Sequence, residues 1–198
     1  MLYLVCGKTT YALQIADNVA RRGHKVIIFS LEQSKFELIT KAVSRITYEK
    51  NRGDARTQAS ITKSDEIDET TLNAMTTYST EIAPNTIIKE GTFSLSVDDI
   101  KDYLKGYVAE TKEKPLVIID YLQILTPSNT NLSDKQQTDY NATTLKKISR
   151  DLDIPILAIS SFNRMNYSQT VSFEAFKESG RHRIYGGRIT SDATYFIK

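Results

Sequence analysis

Short apolar, β-branched runs recur along this chain, and amphipathic helical stretches separate them. That alternation limits the fold more than any other feature, because strand and helix patterns in turn lead to an α/β sandwich on a mostly parallel sheet. Leu2 to Val5 is the first apolar run. Lys8 to Arg22 follows, with Ala12, Ile15, Ala16 and Val19 at helical spacing and Gly23 closing the helix. Val26 to Phe29 predicts a strand ending at Ser30, and Ser34 to Tyr48 a helix. Asn51 to Ser64 is polar and begins as a loop. Asp65 to Ser79 predicts a helix with an acidic first turn. Thr86 to Ile88 is a strand, and Ser96 to Thr111 a helix capped by Ser96. Leu116 to Ile119, closed by Asp120, is the most apolar strand and fits a sheet covered on both faces. Thr126 to Thr138 reads as an exposed polar loop, Asn141 to Leu152 as a helix and Ile156 to Ser160 as a strand. Asn163 to Gly180 is irregular. Arg183 to Ile189 and Ala193 to Ile197 predict a terminal β-hairpin.

With 198 residues, 40% hydrophobic and 25% charged, the chain is sized and composed as one globular domain. No window holds eighteen apolar residues, so no membrane contact is expected. The start MLYLVCGKTT lacks the basic and long apolar regions of a signal peptide. The single cysteine, Cys6, excludes an internal disulfide and a multi-cysteine metal site, and fits a reducing, cytoplasmic compartment. The net charge is +2, so any nucleic-acid contact must be local. His24 and His182 stand apart without metal-ligand spacing and are expected at the surface.

Three short motifs carry candidate chemistry. Gly7-Lys8-Thr9-Thr10, between an apolar run and a helix, is the end of a Walker A pattern. There Lys8 would reach the β- and γ-phosphates and the Thr9 hydroxyl would hold Mg²⁺. A solvated lysine at a helix start would look the same. Asp120 ends a central strand, where parallel sheets bind ligands and where a Walker B carboxylate holds Mg²⁺. A turn or cap aspartate is the alternative. Glu32 follows another strand in Phe29-Ser30-Leu31-Glu32. If that strand neighbours the one before Gly7, Glu32 shares the same edge and can polarise a water. Otherwise it is a surface glutamate.

These blocks, with Ile119-Asp120-Tyr121-Leu122-Gln123, Ile148-Ser149-Arg150, Asn163-Arg164 and Lys177-Glu178-Ser179-Gly180, stand in the order of a known family. Together they resemble the motor domain of DnaB-type replicative DNA helicases over nearly the whole chain. The resemblance implies a RecA-like P-loop three-layer sandwich, with ATP and Mg²⁺ as cofactors. It implies nucleotide binding by Gly7, Lys8, Thr9 and Thr10, metal binding by Thr9 and Asp120, and Glu32 as the catalytic base. It places single-stranded DNA at Lys177, Glu178 and Gly180, and a sensor or subunit interface at Gln123, Ser161 and Arg164. A hexameric ring follows, with a primase or loader as a possible partner and a bacterial, phage or mobile-element origin. From Lys177 to Lys198 five Lys/Arg face two Asp/Glu, which makes that end locally basic.

The chain departs from the family in three places. Only Cys6 separates Val5 from Gly7, so the phosphate loop is short. Ser161 stands where the family has a γ-phosphate-sensing glutamine. Gly180 runs directly into Arg181, without the segment that carries the family's arginine finger. The expectation is one domain over residues 1–198, with further encoded residues near 5–7 and 180–181. Two other functions stay open. One is a RecA-like accessory or loader ATPase that does not unwind DNA. The other is a degenerate, non-hydrolysing DNA-binding or oligomerisation module.

Overall fold

Five strands form one sheet in the computed structural model, which describes residues 7–91, 95–126, 133–160 and 194–197. The strands are β1 (Val26–Ser30), β2 (Thr86–Glu90), β3 (Leu116–Asp120), β4 (Ile156–Ile159) and β5 (Thr194–Ile197). Their order across the sheet is β2-β1-β3-β4-β5. The first four are parallel, and β5 lies antiparallel to β4. The helices are α1 (Lys8–Arg21), α2 (Lys35–Lys50), α3 (Gln58–Lys63), α4 (Glu69–Thr77), α5 (Val97–Thr111) and α6 (Asp134–Leu152).

Strand side chains alternate between two faces, and both faces are covered here. Val26, Ile28, Leu116, Ile118, Leu157 and Ile159 pack with α1, α2 and α4 in one core. Ile27, Phe29, Val117, Ile119, Ile156 and Ala158 pack with α5 and α6 in the other. The result is three layers, helix on sheet on helix. This is why β1 and β3 are apolar at every position except their last, Ser30 and Asp120. Those two residues are register partners at the C-terminal edge.

Several sequence expectations shift. The loop expected over Thr126–Thr138 ends earlier, because α6 starts at Asp134 rather than Asn141. Ser133 and Gln136 form a reciprocal cap there, which starts a helix whose first turns carry no apolar stripe. The helix expected from Asp65 starts at Glu69. The Asp68 side chain accepts from the Thr71 amide at 2.7 Å and so is the cap. That helix also runs on through a wide π-type turn, Tyr78–Ile82, which seats the fully buried Ile82. The polar stretch after Asn51 contains the short α3. Leu2–Val5, Cys6, the irregular stretch 163–180, the first hairpin arm 183–189 and His182 lie outside the described residues; β5 occupies the position of the second arm. His24 is exposed, as expected. Among the described residues no helix is long and apolar enough to cross a membrane.

Helix α5 begins with a complete capping box. The Ser96 hydroxyl accepts from the Asp99 amide at 3.2 Å, and the Asp99 carboxylate accepts from the Ser96 amide at 2.8 Å. Ser96→Ala is expected to cost about 1 kcal/mol of unfolding free energy, read by urea denaturation.

Candidate functional site

The site lies where α1 begins, beside the C-terminal ends of β1 and β3. Gly7 caps α1 in the left-handed region at φ 65°, a conformation that suits glycine. Its carbonyl accepts from the Tyr11 amide at 2.9 Å. Among the described residues no side chain caps this end, where the first-turn amides and the positive end of the helix dipole lie. Lys8 and Thr9 are half-buried there and Thr10 is exposed.

The Thr9 hydroxyl donates to Asp120 Oδ2 at 2.7 Å across 111 residues of sequence separation. The fold therefore joins the two candidate Mg²⁺ ligands, one at the helix start and one at the strand end. Asp120 is buried, and burial pushes its carboxyl above the usual aspartate range. The Thr9 hydrogen bond opposes this, the Glu32 charge adds to it, and Lys41 and Lys8 oppose it. A hydroxyl and a carboxylate are hard oxygen donors of the kind a divalent cation takes. The residues present thus fit Mg²⁺.

Glu32 reaches this edge by a different route from the one expected. The sheet places β1 between β2 and β3, not beside a strand preceding Gly7. Glu32 follows β1 directly and is exposed, and its charge acts on both Asp120 and Tyr121. The Leu31 amide donates to the Asp120 carbonyl at 2.8 Å, which fixes the chain just before Glu32 to β3. Tyr121 is half-buried against the core beside α1.

Gln123 lies in a short 3₁₀ turn after β3, and its side-chain amide donates to the buried Ser160 hydroxyl at 2.7 Å. This links the ends of β3 and β4 at the same edge. Ser161, Arg164, Lys177, Glu178 and Gly180 lie outside the described residues. Two residues that the motifs did not single out also belong here. Lys41 on α2 lies near enough for its charge to act on Asp120, and its Nζ donates to Gln33 Oε1 at 2.7 Å. No sequence signal marks either one, because both are polar residues at ordinary helix and loop positions.

The pH consequence has a definite sign. Asp120 has a raised pKa in the fold, so the folded state holds its proton to higher pH than the unfolded chain does. Stability from this group is present below its ordinary value of 3.8 and is lost as pH rises through the folded pKa. Asp120→Asn removes that loss and keeps an oxygen for Thr9. Its melting temperature is expected to exceed the parent's by a few degrees near neutral pH and to converge with it in acid. Mg²⁺-dependent nucleotide binding is expected to fall in the same variant.

The chain is similar to known proteins in sequence and in fold. A family model described as DnaB-like helicase C terminal domain matches residues 5–180. The replicative DNA helicase DnaB of Geobacillus stearothermophilus is 27% identical over 160 residues, which cover 80% of this chain and 33% of that protein. The chain therefore spans about a third of that relative's length. Among solved structures, one ATPase domain superimposes with a TM-score of 0.76 at 25% identity, over 90% of this chain and 62% of that one. A DnaB-like replicative helicase described with its interactions with primase shares the fold, with a TM-score of 0.76 at 24% identity over 90% of this chain and 42% of that one. The sandwich is thus RecA-like, and the chain belongs to the family of DnaB-like helicase C-terminal domains.

Proposed function

We propose that this chain is an ATP-hydrolysing motor domain of a replicative DNA helicase, coupling hydrolysis to translocation along single-stranded DNA. The observation that carries this is the 2.7 Å hydrogen bond between Thr9 and Asp120, which brings together at one sheet edge the two side chains proposed to hold Mg²⁺. Lys8 and the first-turn amides of α1 hold the phosphates, with Gly7, Thr9 and Thr10 shaping the turn. Thr9 and Asp120 hold Mg²⁺, which when bound neutralises charge developing on the phosphate oxygens. Glu32 accepts a proton from the attacking water and orients it. Gln123, with Ser161 and Arg164 further along, senses the nucleotide or meets a neighbouring subunit. Lys177, Glu178 and Gly180 grip the DNA backbone, a contact that needs local charge rather than base reading.

The family supports the rest of the proposal: a homohexameric ring, acting in the cytoplasm of a bacterium or from a phage or mobile element, with primase or a loader as partner. The domain is one unit over residues 1–198, with further encoded residues near 5–7 and 180–181. The family match, which stops at residue 180, supports the second of those placements. The short loop and Ser161 favour the alternatives, an accessory ATPase without unwinding or a non-hydrolysing module.

A forked DNA duplex separates these. The full-length protein is expected to release the displaced strand with ATP and Mg²⁺, and Lys8→Ala is expected to release none. ATP hydrolysis without strand release would favour the accessory ATPase. DNA binding without hydrolysis would favour the degenerate module.

A further inference from the structure

The segment Leu31–Ser34, which carries Glu32, is held from several sides. Ser30 Oγ donates to the Gln33 carbonyl at 2.6 Å, which closes the turn at the end of β1. The Leu31 amide donates to the Asp120 carbonyl on β3 at 2.8 Å, and the Gly91 amide, just past β2, donates to the Ser30 carbonyl at 2.8 Å. The Lys35 amide donates to the Glu90 carboxylate. A Cβ on Gly91 would meet Leu31 Cδ2 at 2.2 Å, so the absent side chain leaves room for the residue next to Glu32. These bonds fix the backbone on either side of Glu32. Lys41 supplies a further hold from α2, through its 2.7 Å bond to the Gln33 side chain. Lys41 as a whole is half-buried.

We propose that Lys41 is a positioning residue: by holding Gln33, it keeps the Leu31–Ser34 turn, and with it Glu32, fixed against the Thr9–Asp120 edge. This rests on the role given to Glu32 above. Small displacements of a catalytic group are costly, and a group set by packed neighbours loses little orientation at the moment of reaction. The Lys41 charge also favours the ionised form of the Asp120 carboxyl. The two contributions are separable, because Gln33 can be changed while the charge stays.

The test uses the full-length protein with single-stranded DNA. Lys41→Met is expected to lower kcat for ATP about tenfold and to change KM less than threefold, since orientation and not uniform binding is lost. Lys41→Arg keeps a donor and is expected to retain at least half the activity. Gln33→Met is expected to reproduce the loss with the charge intact, and the double variant to be no worse than either single one. In a Glu32→Gln background, Lys41→Met is expected to have no further effect. Hydrogen exchange supplies a readout independent of turnover. The Leu31–Ser34 amides are expected to exchange about tenfold faster in Lys41→Met and Gln33→Met, with β1 and β3 still protected.

Full activity in Lys41→Met overturns the proposal while leaving Glu32's role intact, provided that Glu32→Gln is inactive. Full activity in Glu32→Gln overturns both. Unchanged exchange in that turn overturns the tether whatever the kinetics show.

Discussion

Glu32→Gln in the full-length protein is expected to lower ATP turnover by about 10²–10⁴-fold while ATP affinity stays within about threefold. The amide keeps the size of the side chain and loses the proton-accepting oxygen. Nothing in the phosphate or metal contacts assigned to Lys8, Thr9 and Asp120 depends on it, so binding persists. Glu32 is exposed at the end of β1, and its charge already acts on Asp120. It thus lies at the same sheet edge as the two side chains proposed to hold the metal, and is open to solvent. Steady-state kinetics with a parallel fluorescent-nucleotide titration checks both halves. Equal losses in binding and turnover would make Glu32 a ligand rather than a base.

The largest stability loss is expected from Arg45→Met. Asp17 is 2% exposed in the middle of α1, and the Arg45 guanidinium on α2 bonds its carboxylate. Burial raises the Asp17 pKa despite the opposing Arg45 charge and hydrogen bond. Removing the arginine leaves that carboxylate buried with its main partner gone, a change that costs about 3 kcal/mol or more. It also loosens Glu49, which bonds Arg45 and lies 3.0 Å from Arg21. The cost has a pH signature. Below the ordinary aspartate value of 3.8, Asp17 is protonated in both folded and unfolded chains, and the arginine matters little. The penalty grows as pH rises from there. Urea unfolding at acid and neutral pH reads this. Asp17→Leu combined with Arg45→Met is expected to recover most of the loss, because an apolar pair of similar volume needs no partner.

How much of this was legible in the chain depends on whether the signal was local. The strand Leu116–Asp120 was readable to the residue, because a run buried on both faces is apolar throughout and its one carboxylate marks the edge. Helix α2 was readable from its apolar spacing, with Ser34 at its start. The start of α6 was missed by seven residues, although Ser133 and Gln136 hold the three-residue spacing of a capping box. Apolar periodicity does not mark it, because the buried residues of its opening turns are Gln137 and Asn141 rather than apolar ones. At the site, the motif residues announced themselves in Gly7-Lys8-Thr9 and in the strand-end positions of Asp120 and Glu32. The pairing of Thr9 with Asp120 did not, since it spans 111 residues and needs the sheet. Lys41 and Gln33 were silent for the same reason. So was the Asp17–Arg45 pair: a lone aspartate inside a helix looks like a surface charge until α2 is packed against it.

The most direct test of the nucleotide site is steady-state ATP hydrolysis by the full-length protein with Mg²⁺ and single-stranded DNA, beside the same protein carrying Lys8→Ala. The expected result is hydrolysis that requires Mg²⁺, rises with DNA and falls at least about a hundredfold in the variant, because the proposal gives the lysine and the metal the phosphate charge to carry together. Equal rates in parent and variant, or no hydrolysis in the parent, would contradict it.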